Sequence, residues 1–109
     1  MTVGIARITL FLHASHSLKE KRAVLRRLKS LVRDKFTNAA IAEVGENELW
    51  QRAAVGIAVV GNDRAFTESA LDELLRFVEG HANVTHTERE FHSYNEAFGV
   101  GVGVEHWNG

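Results

Sequence analysis

Positive charge is concentrated in one segment of the sequence, residues 17–36. Eight of these twenty residues are Lys or Arg and two are acidic, whereas the whole chain has a formal net charge of −1. If the segment is helical, five of its cations fall within about 80° of one another around the helix axis. They are Lys19, Arg22, Arg26, Lys29 and Arg33. Because aligned cations bind phosphate groups, the pattern predicts contact with an RNA backbone through these five residues.

The aligned cations require a counter-charge, and the sequence offers more than one source. Like charges at these spacings weaken a helix by roughly 0.2–0.5 kcal/mol per pair. One source is the acidic edge of a second predicted helix, in the same chain or in a second copy; it consists of Glu68, Asp72 and Glu79. The other source is a partner, either an RNA backbone or an acidic protein. The overall acidic balance argues against strong nonspecific binding to DNA.

The residue types give little support to catalysis, nucleotide binding or metal binding. The absence of cysteine excludes disulfides, thiol catalysis and zinc–thiolate sites. Gly56 and Gly61 have the spacing of a phosphate loop, but Asn62 and Asp63 stand where Lys and Ser or Thr are needed. An enzyme is a third hypothesis that would need several histidines to converge, the candidates being His13, His16, His86 and His92. The sequence therefore predicts no catalytic residue, cofactor, metal or small-molecule substrate.

Hydrophobic periodicity predicts six secondary-structure elements, four strands and two helices. Alternation over residues 3–13 predicts a strand, with one face formed by Ala6, Ile8, Leu10 and Leu12. Ser17, with Glu20 three residues later, is the pattern that begins a helix, and that helix is predicted to run to residue 36. Further strands are predicted at 39–44, 49–61 and 83–92, and a second helix at 63–79.

The order strand, helix, strand, strand, helix, strand predicts an α+β fold, the ferredoxin-like βαββαβ sandwich. Its four-stranded antiparallel sheet carries both helices on one face, and its first and third strands are central because they are the most apolar. Residues 1–92 form this domain, and residues 93–109 form a C-terminal extension. GVGVGV at 99–104 alternates, and both an extra strand and a flexible tail are compatible with it.

The sequence also predicts the environments of Lys21, Trp50 and the open face of the sheet. Lys21 falls inside the apolar sector of the first helix, where its stem is expected to lie on the core while its ammonium group reaches solvent. Trp50 lies at the start of the third predicted strand and is expected to pack in the core or at the sheet edge. The alternative is an exposed platform for base stacking, which is disfavoured because the rest of that strand has no aromatic residue. If Val3, Ile5 and Phe11 line the open sheet face, self-association would cover them, so a homodimer is expected.

The sequence also predicts a soluble, cytoplasmic protein. The N-terminus has no basic leader, and Arg7 interrupts its apolar residues, which argues against a signal peptide. No apolar run approaches the roughly 20 residues that a membrane helix needs, so no membrane contact is expected. The absence of cysteine fits a reducing compartment.

Three segments resemble the YlxP-like family of small bacterial proteins of unknown function. They are SLKEKR at 17–22, AEVGENELWQRA at 42–53 and VVGND at 59–63. The resemblance covers about residues 3–92 and implies a ferredoxin-like fold. It transfers no activity or site residue, because none is established for the family. Its genes tend to lie near those for translation initiation and ribosome maturation, which implies an RNA or ribosome context by association.

The leading hypothesis is a non-catalytic accessory protein, related to translation or the ribosome, that contacts RNA or a ribonucleoprotein through its basic helix. The alternative is a structural or regulatory protein–protein interaction module that acts as a homodimer.

Overall fold

The computed structural model describes residues 1–94, which form six elements in the predicted order. The strands are β1 (Thr2–Phe11), β2 (Ala39–Gly45), β3 (Arg52–Gly61) and β4 (Asn83–Ser93), and the helices are α1 (Leu18–Lys35) and α2 (Arg64–Glu79). The alternatives for GVGVGV, an extra strand or a flexible tail, lie outside the described residues.

The sheet has the strand order β2-β3-β1-β4, and every neighbouring pair is antiparallel. The apolar strands β1 and β3 are central, while β2 and β4 form the edges. Two helices connect the strands in the order βαββαβ. This is the ferredoxin-like arrangement, so the predicted fold class is confirmed.

Both helices cover one face of the sheet and enclose a single hydrophobic core. Ala6, Ile8 and Leu10 face this core from β1, as the alternation predicted. The helices add Leu25, Leu28 and Val32 from α1 and Leu71, Leu74 and Val78 from α2. Because the helices occupy the same side, the other face of the sheet stays open. Neither helix within residues 1–94 is long and apolar enough to span a bilayer.

The start of α1 is set by its N-cap, which fixes where the basic segment begins. The Ser17 hydroxyl accepts a hydrogen bond from the Glu20 backbone N–H at 3.1 Å. The Glu20 carboxylate in turn accepts from the backbone N–H of His16. Caps of this kind satisfy N–H groups that have no partner inside the helix, so the predicted helix start is confirmed.

Residues 46–51 form a loop, whereas the sequence predicted that the third strand begins at residue 49. Glu46 has a left-handed backbone conformation with φ of 61°, and the Leu49 N–H donates to its carbonyl at 3.2 Å. The Leu49 carbonyl accepts from the Lys21 ammonium at 2.8 Å rather than from a neighbouring strand. A tertiary contact therefore keeps this segment out of the sheet, which local hydrophobicity does not reveal.

Candidate functional site

The five cations predicted to share one side of α1 form a surface that we call the basic stripe. Its members are Lys19, Arg22, Arg26, Lys29 and Arg33. All are exposed except Lys29, which is half-buried. None of them has an ion pair with another residue in the described range 1–94. Their charges are therefore available to a partner outside the described part of the chain.

The basic stripe lies on the side of α1 that faces away from α2. The opposite side is marked by Lys35, whose ammonium lies 5.0 Å from the centre of the Phe77 ring of α2. It is also marked by Leu31, which lines a cavity together with His81. At 3.6 residues per turn, Lys35 and Leu31 are each roughly 160° around the helix from the centre of the stripe. Since α1 also packs on the edge strand β2, the stripe faces outward from the domain.

The acidic edge of α2 does not supply the counter-charge within one chain. Asp72 pairs with Arg89 of β4, and Glu68 pairs with Arg64 one turn earlier at 3.2 Å. Glu79, the third acid of this edge, forms no ion pair with any of the residues that the structure describes. The interpretation that the two helices neutralise each other within the chain is wrong, because the stripe points away from α2.

Lys21 is buried, with 1% of its surface exposed, and it joins α1 to the β2–β3 loop. Its ammonium donates to the carbonyls of Glu46 at 2.5 Å and Leu49 at 2.8 Å. It also lies 3.1 Å from the carboxylate of Glu43 on β2. The two carbonyls accept hydrogen bonds from the ammonium, whereas the Glu43 carboxylate contributes an ion pair without hydrogen-bond geometry. The expectation that this group reaches solvent is wrong, because the loop folds over it and replaces water with carbonyl oxygens.

The loop that Lys21 holds presents Trp50 to solvent. Trp50 is 54% exposed and its neighbour Leu49 is 44% exposed. They line a groove of about 400 Å³ together with Phe11, Glu48, Gln51 and Arg52. The expectation that Trp50 packs in the core or at the sheet edge is wrong, since β3 begins after it. The sequence signal for this loop was Lys21, because a lysine in the apolar sector of a helix needs buried acceptors such as the loop carbonyls. No residue next to Trp50 in the sequence indicated that its side chain is exposed.

The open face of the sheet holds a larger groove of about 510 Å³. Much of its lining is small or apolar and includes Ile5, Ala42, Val44, Gly56 and Ala58. Arg7 of β1 lies opposite Gly56 on one side and Glu88 on the other in the sheet register. It has no ion pair within residues 1–94, whereas Glu88 is 3.2 Å from His86. Of the residues predicted to line this face, Ile5 borders the groove and is 37% exposed.

The histidines named in the sequence lie in separate exposed places. His86 and His92 on β4 lie beside Glu88 and Glu90 at 3.2 Å and 3.0 Å, respectively. The His13 ring packs edge-on against Phe11, with ring centres 5.1 Å apart. Within residues 1–94, no group of three or more His, Asp or Glu side chains could hold a metal ion.

Comparisons with known proteins find relatives that have no established function. The model of a family described as "Protein of unknown function (DUF503)" matches residues 3–91. The uncharacterized protein YlxP of Bacillus subtilis (strain 168) is 39% identical over 85 residues, which are 78% of this chain and 91% of that protein. Among solved structures, the de novo designed protein Foldit4 has a TM-score of 0.51 at 12% identity, covering 86% of this chain and 98% of its own. The likeness to Foldit4 concerns the fold alone.

Proposed function

The chain belongs to the DUF503 family of proteins of unknown function, and we propose that it is a non-catalytic accessory protein that contacts RNA or a ribonucleoprotein through the basic stripe. The observation that carries the proposal is the set of aligned side chains that have no ion pair within residues 1–94 and face outward from the domain. Such a stripe fits a phosphate backbone, which presents negative charge at regular intervals whatever its sequence.

The energetics of α1 support an external counter-charge. The four successive pairs in the stripe weaken the helix by roughly 1–2 kcal/mol in total, since like charges three or four residues apart repel each other. No acid within the described residues offsets this repulsion by an ion pair. A bound phosphate backbone would remove it. The proposed role implies a cytoplasmic protein, an expectation that the absence of cysteine fits.

RNA binding by the whole chain is expected to weaken steeply with added salt. Five phosphate contacts on a single strand give a slope of about −3.5 in log K against log salt concentration, because each contact releases a condensed cation. Affinity should therefore fall by about 100-fold between 50 and 200 mM salt. Fluorescence anisotropy of a labelled single-stranded RNA measures this slope. Absence of binding at about 50 mM salt would refute the proposal.

A second candidate function, a homodimeric interaction module, is favoured by the open face of the sheet. Its groove combines an apolar lining with Arg7 and the carboxylates of Glu88 and Glu90. Two such faces packed about a two-fold axis would bury Ile5 and Val44 and bring Arg7 of each copy near the carboxylates of the other. The apolar contact would supply the affinity, and the charges would set the orientation of the two copies.

Replacement of Ile5 by glutamate is expected to convert such a dimer into monomers, because it buries an unpaired charge in the interface. Analytical ultracentrifugation of the wild-type chain should show twice the mass of one chain, and the variant should show one. Val24→Glu is the matched control, since Val24 is 43% exposed on α1 and far from this face in the fold. A wild-type chain that stays monomeric at about 100 μM would exclude this candidate.

A further inference from the structure

We infer that the β2–β3 loop binds an unpaired RNA base, which stacks on Trp50. The inference rests on the proposed RNA contact and adds the class of RNA, which is single-stranded. A base within a duplex is stacked on its neighbours and has no free face, whereas unpaired bases stack readily on aromatic side chains.

The loop is anchored on both sides of Trp50, although the Trp50 side chain is 54% exposed. Before it, the carbonyl of Leu49 accepts from the buried Lys21 ammonium at 2.8 Å. After it, the carbonyl of Gln51 accepts from the Leu12 N–H at 2.7 Å. The backbone that carries Trp50 is therefore held in place, so little backbone entropy is lost when a ligand binds to the ring.

The groove beside Trp50 has the size and the chemistry for a nucleobase. Its volume of about 400 Å³ lies within the range of about 300–1,000 Å³ found for small-molecule sites. Phe11 and Leu49 contribute apolar surface to its lining. Glu48 and Arg52 contribute polar groups, and Arg52 also lies 3.5 Å from the Glu46 carboxylate. The guanidinium donates hydrogen bonds to base oxygens and ring nitrogens, and the Glu48 carboxylate accepts from exocyclic amino groups.

The groove is linked to the basic stripe through the β2–β3 loop, which contacts the first turn of α1. Lys21 lies between Lys19 and Arg22 in the first turn of α1, and its ammonium reaches the residue that precedes Trp50. The loop therefore lies beside the end of α1 where the stripe begins. A single strand whose phosphates follow the stripe can pass around this loop toward the open face of the sheet, where Phe11 and Arg52 lie, and place one base on Trp50.

The test compares Trp50→Ala, Trp50→Phe and wild type on a 12-nucleotide single-stranded RNA and on a duplex of the same length. Trp50→Ala should weaken single-strand binding by about 5- to 150-fold without changing the salt slope, because stacking releases no counterions. Trp50→Phe should retain most of the affinity, and duplex binding should not change. Phe66→Ala is the matched control, since Phe66 is an aromatic residue 56% exposed on α2.

Fluorescence gives a second readout of the same contact. The chain has two tryptophans, Trp50 and Trp107, so Trp107→Phe leaves Trp50 as the reporter, and saturating single-stranded RNA should quench it. Equal affinities for Trp50→Ala and wild type, without quenching but with the steep salt slope retained, would overturn the stacking inference and leave the proposed function standing. Absence of any RNA binding at about 50 mM salt would overturn both.

Discussion

Replacement of Lys21 by alanine should lower the free energy of unfolding by about 3 kcal/mol, which is a large part of the roughly 5–15 kcal/mol of a small domain. The substitution removes the cation from a buried ion pair with Glu43 and leaves the carbonyls of Glu46 and Leu49 without their donor. It also removes a buried aliphatic stem. Because the Glu43 side chain is 27% exposed and can be partly hydrated, the loss of stability should lie near the lower end of the roughly 3–5 kcal/mol typical of a broken buried ion pair.

Urea unfolding followed by circular dichroism measures this loss, and two variants separate its causes. Lys19→Ala removes a lysine from the exposed part of the same helical turn and should change the stability by less than about 0.5 kcal/mol. Lys21→Met keeps the buried stem without the charge, so its stability should fall between wild type and Lys21→Ala. If Lys21→Ala is as stable as Lys19→Ala, the loop does not depend on the buried ammonium.

Reversal of three stripe charges, in the triple variant Arg22→Glu, Arg26→Glu and Arg33→Glu, should lower RNA affinity by at least about 100-fold at 50 mM salt. This loss corresponds to about 2.7 kcal/mol of binding free energy. Three phosphate contacts are lost, and three carboxylates then repel the backbone. The salt slope should become shallower, because fewer condensed cations are released. Anisotropy titration with labelled single-stranded RNA measures both quantities.

A charge-matched variant shows whether position or net charge is responsible. Each replacement removes one positive charge and adds one negative charge, so three of them take the formal net charge from −1 to −7. The control variant makes the same change at Arg27, Lys35 and Arg76, which are exposed and lie outside the stripe. At about 100 mM salt, charges that do not contact the RNA are partly screened, so the control should lose much less affinity than the stripe variant. Equal losses in both variants would contradict a localised interface.

Local chemistry was sufficient to predict the elements and their order. Ser17 and Asp63 each accept a hydrogen bond from the N–H three residues later, at 3.1 Å and 2.8 Å, and so begin α1 and α2. The alternation in β1 placed Ile8 and Leu10 in the core, where both are fully buried. These features depend on interactions over a few residues and on periods of two and 3.6, and the sequence displays both directly.

The candidate site was predicted only in part. The alignment of the basic stripe follows from helix geometry, but the positions of its possible partners do not. The helical periodicity of α2 placed Asp72 on an acidic edge. It did not show that Asp72 forms an ion pair with Arg89, which is distant in the sequence. Lys21 and Trp50 were assigned wrongly because their environments come from a loop whose path depends on contacts with α1.

The sequence by itself therefore determined the six elements, the ferredoxin-like fold and the existence of an aligned row of cations on α1. Tertiary structure decided which way that row faces, which lysine is buried and which aromatic ring is exposed. The physical reason is that capping and hydrophobic periodicity act between neighbouring residues. By contrast, the burial of Lys21 and the exposure of Trp50 arise from hydrogen bonds that span 25 and 28 residues of the chain.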